Sequence, residues 1–397
     1  MKLVDFPMII VCIVLIYTPV GCISIFEPVG VQPRAGILVV EGMIMETGTT
    51  VQLSKTVQTG EKLTVINYED LNRAIIHVID ESNNVIAVAE RQIEDGVATP
   101  GAYIVNNSFS FKPGMKYALD LQVEGKHYRS AYLSPVHTPA IDEISWQLND
   151  DRSIDIFVST HDPENKTNYY RWSFEEDWEI RSNLFTYYRY DPETDEVISI
   201  DLNKDSRYYC WASDHSKSLL IASSVKYTDV GIKNHKIHSF QPGNSRYSYL
   251  YSILVRQYGL EEEAWMYFDN LQRNMDESSS IFAPQPSEKT GNIQCLSDPD
   301  ETVIGYITAS EVATYRLYIP MAELQLNNLE DQYNCSELED EDLLREIRAK
   351  GPAYAFLFIN LGIINVNPYD FRSIECLDCT RRGGIKTKPD FWPNDHQ

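Results

Sequence analysis

The chain has 397 residues, of which 43% are hydrophobic and 11% aromatic, and carries a net charge of -24. That hydrophobic content supports sizeable cores, about two domains at this length, and excludes a disordered chain. The charge excludes nucleic acid as a partner and excludes lying flat on an anionic membrane; it reads as a solvated acidic surface.

The start of the chain places it. An apolar run from Met8 to Tyr17 follows Lys2, and small residues lead to Pro19-Val20-Gly21-Cys22. This is the layout of a secretory signal, and the run is too short for a membrane span. Its end resembles a bacterial lipobox, with Pro19 where Leu is usual and Asp5 in a region that is usually basic. Residues 1–21 are therefore expected to be a lipoprotein signal peptide. Lipid on Cys22 anchors the protein to a membrane, each buried methylene contributing about 0.8 kcal/mol. Residues 22–34 form a tether in which Pro28 and Pro33 favour extended chain.

Next comes a series of short β patterns. Residues 37–40 are apolar, 51–54 alternate, and 74–80 read as a strand before a turn at Glu81-Ser82-Asn83-Asn84 and a strand at 85–89. Phe109 and Phe111 alternate, and 117–123 and 127–133 flank Glu124-Gly125-Lys126, a hairpin signal. With no helical stretch between these strands, residues 35–137 read as an immunoglobulin-like or transthyretin-like β-sandwich. Its end is set by Pro135 and Pro139, which cannot donate to a sheet ladder.

Residues 138–397 read as a larger β-rich domain with a few short helices. A hairpin at Asn149-Asp150-Asp151 joins strands at 141–148 and 153–160. Further strands are expected at 169–180, 184–190, 197–202, 218–223, 237–240, 247–258 and 302–318. A helix is predicted near 260–275, where Leu260, Ala264, Tyr267, Phe268, Leu271 and Met275 share one face and Glu261, Glu262 and Glu263 occupy the first turn. A shorter acidic helix is expected at 338–349, stopped by Gly351-Pro352.

Cysteines fit an exported chain. Cys12 leaves with the signal and Cys22 takes lipid; Cys210, Cys295, Cys335, Cys376 and Cys379 remain, enough for two bridges and one odd thiol. The favoured pairs are Cys210 with Cys295, and Cys335 with Cys376 or Cys379. The rival is Cys376-Leu377-Asp378-Cys379 closed on itself; this motif lacks the second ligand pair of a zinc site and the βαβ context of a redox motif.

Other motifs weaken on inspection. Asp201-Leu202-Asn203-Lys204-Asp205 begins like a calcium loop, then has Ser206 in place of Gly and Ala212 in place of Glu. His235 and His238 lack a carboxylate orienter and read as two surface histidines. Glu175, Glu176, Asp177 and Glu179 crowd a segment with Trp172 and Trp178, residue types that a glycosidase uses. On a strand, however, Glu175, Asp177 and Glu179 form one exposed face and the tryptophans a buried pair on the other. No catalytic residue, metal or cofactor is expected.

Several stretches together resemble a known family: Gly21-Cys22, Leu38-Val39-Val40-Glu41-Gly42, Tyr169-Tyr170-Arg171-Trp172 with Glu175 and Trp178, Cys210-Trp211, Ser252 to Tyr258, Pro284-Gln285-Pro286 with Gly291-Asn292-Ile293, Val303-Ile304-Gly305-Tyr306, and Cys379 with Gly383-Gly384 and Lys388-Pro389-Asp390-Phe391-Trp392. They are similar to Bacteroidota lipoproteins classed as domain of unknown function four-two-four-nine. The resemblance implies an outer-membrane lipoprotein on the cell surface, an accessory in ligand capture and nutrient uptake beside a TonB-dependent receptor. It departs in having Glu261 where a Ser or Thr helix cap is expected, and only Glu27 after Cys22 where a surface-export signal is an acidic cluster. The alternatives are a structural or adhesive envelope lipoprotein, or a surface glycan hydrolase using the 175–179 carboxylates.

Overall fold

The computed structural model describes residues 36–57, 68–94, 96–191, 196–225, 231–277, 291–320, 335, 356–359, 369–371 and 374–394. The expected signal peptide with Cys22, the expected tether and the expected helix at 338–349 lie outside them.

The described chain is mainly β. In order, the strands are β1 (Leu38–Ile44), β2 (Thr50–Lys55), β3 (Ile75–Asp80), β4 (Val85–Val88), β5 (Glu90–Glu94), β6 (Val97–Ile104), β7 (Tyr117–Val123), β8 (Lys126–Ser130), β9 (Ile141–Leu148), β10 (Ile154–Thr160), β11 (Tyr169–Arg181), β12 (Tyr188–Asp191), β13 (Glu196–Ser199), β14 (Tyr209–His215), β15 (Leu220–Ser223), β16 (Ile232–Phe240), β17 (Leu250–Leu260), β18 (Ile293–Cys295), β19 (Val303–Ile304), β20 (Ile307–Ala309), β21 (Val312–Pro320), β22 (Phe356–Ile359) and β23 (Tyr369–Phe371). The helices are α1 (Leu202–Asp205), α2 (Glu262–Glu277) and α3 (Ile374–Leu377). Among the described residues, no helix is long and apolar enough to cross a membrane.

Two sheets face each other in the first unit, ordered β19-β1-β2-β6-β5 and β18-β8-β7-β3-β4. Alternating side chains fill the space between them: Val40, Val51 and Leu53 from one sheet, Ile76, Val78, Leu119 and Leu121 from the other. The β7–β8 hairpin turns at Glu124 and Gly125, both at positive φ, as the sequence predicts. Phe109 and Phe111 are not in a strand; their rings pack on each other and on Tyr117.

This sandwich is completed from far along the chain. β19 and β20 run parallel to β1, placing Leu38 opposite Val303 and Gly42 opposite Ile307, and β18 pairs with β8. Ile293, Cys295, Val303, Ile307 and Ala309 thus belong to the first core. A boundary drawn in chain order at residue 137 therefore misassigns 293–309, which sit in the first unit and not with the rest of 138–397. The close approach requires glycine. Gly305 has φ +126°, and a Cβ there would lie 1.9 Å from the Val40 carbonyl oxygen.

The second unit is another pair of sheets. β16-β10-β9 faces β14-β11-β17-β21, to which β15 adds beside β14 on β11. Ile154, Ile156 and Val158 of the smaller sheet meet Tyr170, Trp172, Phe174, Ile253 and Val255 of the larger. β13-β12-β22-β23 forms a separate sheet. α2 is the predicted helix; Ala264 and Phe268 bury against Leu260 and Ile221 on the outer face of the larger sheet.

Residues 136–139 lie between the two units. Val136 N–H donates to Ala309 O, Glu311 N–H donates to Val136 O, Gly259 N–H donates to the Thr138 hydroxyl at 2.9 Å, and Gln257 Nε2 donates to Pro139 O at 2.8 Å. This ladder ties the linker to both units.

Candidate functional site

The acidic segment is the middle of β11, and the structure divides it more finely than alternation does. Trp172, Phe174 and Glu176 face the core, while Arg171, Ser173, Glu175 and Asp177 face outward. Glu176, one of the carboxylates expected near the tryptophans, is 1% exposed on the tryptophan side. The exposed acidic face is also less than expected: Glu175 is exposed, Asp177 is half-buried, and Glu179 is buried. Trp172 is buried, but Trp178 is half-buried beneath the Arg246 guanidinium, 4.5 Å from its ring.

Each carboxylate has an arginine. Glu175 pairs with Arg256 at 2.8 Å, Glu176 with Arg246, Asp177 with Arg316 at 3.2 Å, and Glu179 with Arg181. Burial pushes the Asp177 carboxyl up, with Arg316 pulling the other way. Glu176 also accepts from the Tyr251 hydroxyl at 2.8 Å. The second Arg246 nitrogen reaches Asp214 at 3.0 Å, and the Asp214 carboxyl is held down chiefly by the His215 backbone N–H. His238 Nε2 lies 3.4 Å from Glu176, too poorly aligned for a hydrogen bond. A glycosidase needs one carboxyl that carries a proton near neutral pH, and paired arginines favour the ionised form.

The two histidines are not surface residues. His235 stacks on Trp172, and His238 packs against Phe174 and Phe240. Burial lowers the pKa of both. Among the described residues, no group of His, Cys, Asp or Glu could hold a metal ion. The calcium-like stretch is the turn of α1, where Asp201 reaches Lys204 at 3.9 Å.

The disulfides are Cys210–Cys379 and Cys335–Cys376, and Cys295 is a buried free thiol. The second matches one of the expected pairs. The expected Cys210–Cys295 bridge does not form, because β18 carries Cys295 into the first core while β14 holds Cys210 in the second unit. The two cysteines of the CxxC motif bond to different partners, Cys379 to Cys210 of β14 and Cys376 to Cys335, so they do not close on themselves.

The C-terminal segment covers one end of the outer face of the larger sheet. Trp392 packs on Trp211 and Leu250, and Phe391 lies under the Arg316 guanidinium at 3.6 Å. α2 covers the other end. Between them Glu175 and Thr314 are exposed and Ser173, Leu254 and Arg256 are half-buried. Sequence reading missed this strip because its arginines come from β17 and β21, strands far from β11 in the chain.

Residues 24–316 match the family model described as "Domain of unknown function (DUF4249)". No curated protein matches the chain. Among solved structures, the chain titled "Biofilm associated protein - B domain" is similar over 81% of this chain and 99% of that chain, at 8% identity and a TM-score of 0.14, a likeness too low to carry an argument.

Proposed function

The chain belongs to the DUF4249 family, and on that premise we propose that it is an outer-membrane lipoprotein, anchored through Cys22 at the cell surface of a Bacteroidota bacterium. There it captures a ligand as the accessory of a TonB-dependent receptor. The observation that supports this reading is the placement of the two units along β1, the first described strand. The chain reaches β1 at Leu38, beside Lys55 and the β7–β8 turn. The other end of β1 meets the second unit, Met43 and Met45 packing on Tyr258 and Val312. β1 spans about 20 Å. The first sandwich thus acts as a spacer, and the second unit holds its outer face away from the anchor. The arginine-paired carboxylates favour binding over hydrolysis.

Cys22→Ser tests the anchor: the variant is expected in a soluble fraction, and partitioning with membranes like the parent sinks the lipoprotein reading. Pulldown of C-terminally tagged protein from detergent-solubilised outer membrane tests the receptor, which is expected to co-purify. A stable complex without any receptor favours the second reading, a structural or adhesive envelope protein. One observation speaks for it: the edge strands β4 and β5 carry or adjoin exposed Val85, Val88, Ile93 and Val97.

A further inference from the structure

The end of the first unit at which the described chain enters carries an open cavity of about 620 Å³. Its floor is one cross-strand row on the outer face of the sheet: Ile75 of β3 stands opposite Gln122 of β7, and Gln122 opposite His127 of β8. The short helical turn Leu71–Arg73 brings Arg73 and the preceding Asp70 to one wall, and the β7–β8 hairpin brings Glu124, Gly125 and Lys126 to the other. The chain enters beside this hairpin. Gly36 N–H donates to Thr56 O at 2.9 Å, and the neighbouring Lys55 pairs with Glu124.

The volume is that of a small-ligand site, and the lining carries both signs of charge. Arg73, Lys126 and His127 donate, while Asp70 and Glu124 accept. Arg73 already pairs with Glu69, Lys126 with Glu301 and Glu124 with Lys55, but these are surface pairs, which are weak and exchange readily. Uncovered aliphatic side chains border the charges. Ile75 is 49% exposed, and Val57, two residues beyond Lys55, is 54% exposed. Gly101 N–H donates to Asn72 Oδ1 at 2.9 Å, so the β5–β6 ribbon leaves beside the same helical turn; it carries Ile93 and Val97, 65% and 70% exposed. Ile93 pairs with Ala98 and Val97 with Glu94, which puts the two on opposite faces of the ribbon. An aliphatic residue on each face fits a medium that surrounds the ribbon better than one flat partner.

We propose that this end of the first unit rests on a phospholipid surface and that its cavity takes a zwitterionic phosphoethanolamine headgroup. The phosphate meets Arg73 and Lys126, the ammonium meets Asp70 and Glu124, and Ile75, Ile93 and Val97 reach the acyl boundary. The net charge of -24 repels an anionic surface, whereas a neutral headgroup matches a lining of both signs. Cys22 stands 14 residues before Gly36, so a lipid on it lies at most about 50 Å from this end. The assignment rests on the anchored reading for which end meets the bilayer. Its test leaves that lipid out, so the two can fail separately.

The test uses the full chain with Cys22→Ser in a vesicle sedimentation assay. Vesicles of phosphatidylethanolamine mixed with phosphatidylcholine are expected to carry the protein down. Phosphatidylcholine alone is expected to bind about threefold more weakly, because its quaternary ammonium has no N–H to donate to Asp70 and Glu124. Phosphatidylglycerol in place of phosphatidylethanolamine is expected to bind more weakly still at low salt. Glycerophosphoethanolamine is expected to compete, and inorganic phosphate at the same concentration is not. Arg73→Gln, and Ile93→Ser with Val97→Ser, are each expected to weaken binding to the mixed vesicles about fivefold or more. The Arg73 side chain is 70% exposed, so Arg73→Gln is expected to melt like the parent by circular dichroism. No binding to the mixed vesicles, equal or tighter binding to either other vesicle, competition by inorganic phosphate, or either variant binding like the parent would each overturn the assignment.

Discussion

Replacing Arg246 with Met removes the cation that neutralises Glu176 and keeps an apolar stem over Trp178. Glu176 is 1% exposed, and its remaining hydrogen-bond partner is the Tyr251 hydroxyl at 2.8 Å. Stripping a buried carboxylate of its cation costs about 3–5 kcal/mol. The Arg246 side chain is 29% exposed, so water reaches the vacated space and the lower end, about 3 kcal/mol, is expected. Glu176→Gln leaves Arg246 on Asp214 and still accepts from Tyr251, so about 1–2 kcal/mol is expected. In the double variant no buried charge is left unpaired, and its loss should fall short of the sum by about 2 kcal/mol. Urea unfolding followed by near-ultraviolet circular dichroism, with disulfides intact, measures all four proteins. Additive losses, or a loss under about 1 kcal/mol for Arg246→Met, refute the claim that Glu176 depends on Arg246.

Residues 34–137 expressed alone lack β18, β19 and β20, so Val40 and Tyr128 lose core neighbours and two strand edges open. The fragment is expected to unfold without cooperativity, and a second fragment with 291–311 joined on is expected to regain a cooperative melt by circular dichroism. Non-reducing peptide mapping should recover Cys210 linked to Cys379 and Cys335 linked to Cys376, with Cys295 alkylated only after denaturation. Closing loops of 169 and 41 residues is worth about 5 and 4 kcal/mol on the chain-entropy model, so Cys210→Ala with Cys379→Ala should cost at least as much as opening the shorter loop. His235 and His238 titrate below their ordinary value of 6.5, so the unfolded chain binds protons more readily. Stability is therefore expected to fall as pH drops below about 6.5, towards the folded pKa values, and to be flat in this respect above it; His238→Phe should flatten the slope in pH-dependent urea titrations.

What the sequence makes legible is what is local. The Glu124-Gly125 hairpin, the 149–151 turn and the long helix each follow from residues within a few positions of one another. β6 escapes such a reading because Pro100-Gly101 interrupts it; Gly101 takes φ +68°, and a Cβ there would meet Leu53 O at 2.2 Å. β14 escapes because Tyr209 to His215 lacks branched residues and alternation. Glu179 is buried where strict alternation predicts exposure, because the pattern slips after Trp178. The parallel pairing of β1 with β19 and β20 has no local signature, since parallel neighbours need no turn between them.

The same distinction divides the residues that carry the family resemblance. Gly42, Gly291 and Gly305 sit where backbone approaches backbone, and a Cβ at any of them would stand within 3.0 Å of a carbonyl oxygen. Gly384 likewise leaves no room beside Cys210, its Cβ falling 2.5 Å from the cysteine's, and Trp211 with Trp392 closes the C-terminal cover. Those positions are accounted for by packing. Glu41, Glu175 and Arg256 are not: their side chains reach solvent on the outer face of the larger sheet or on β1. A sequence pattern weights both groups alike. Subtracting the packing residues leaves the charged ones as the part of the pattern on which binding can act.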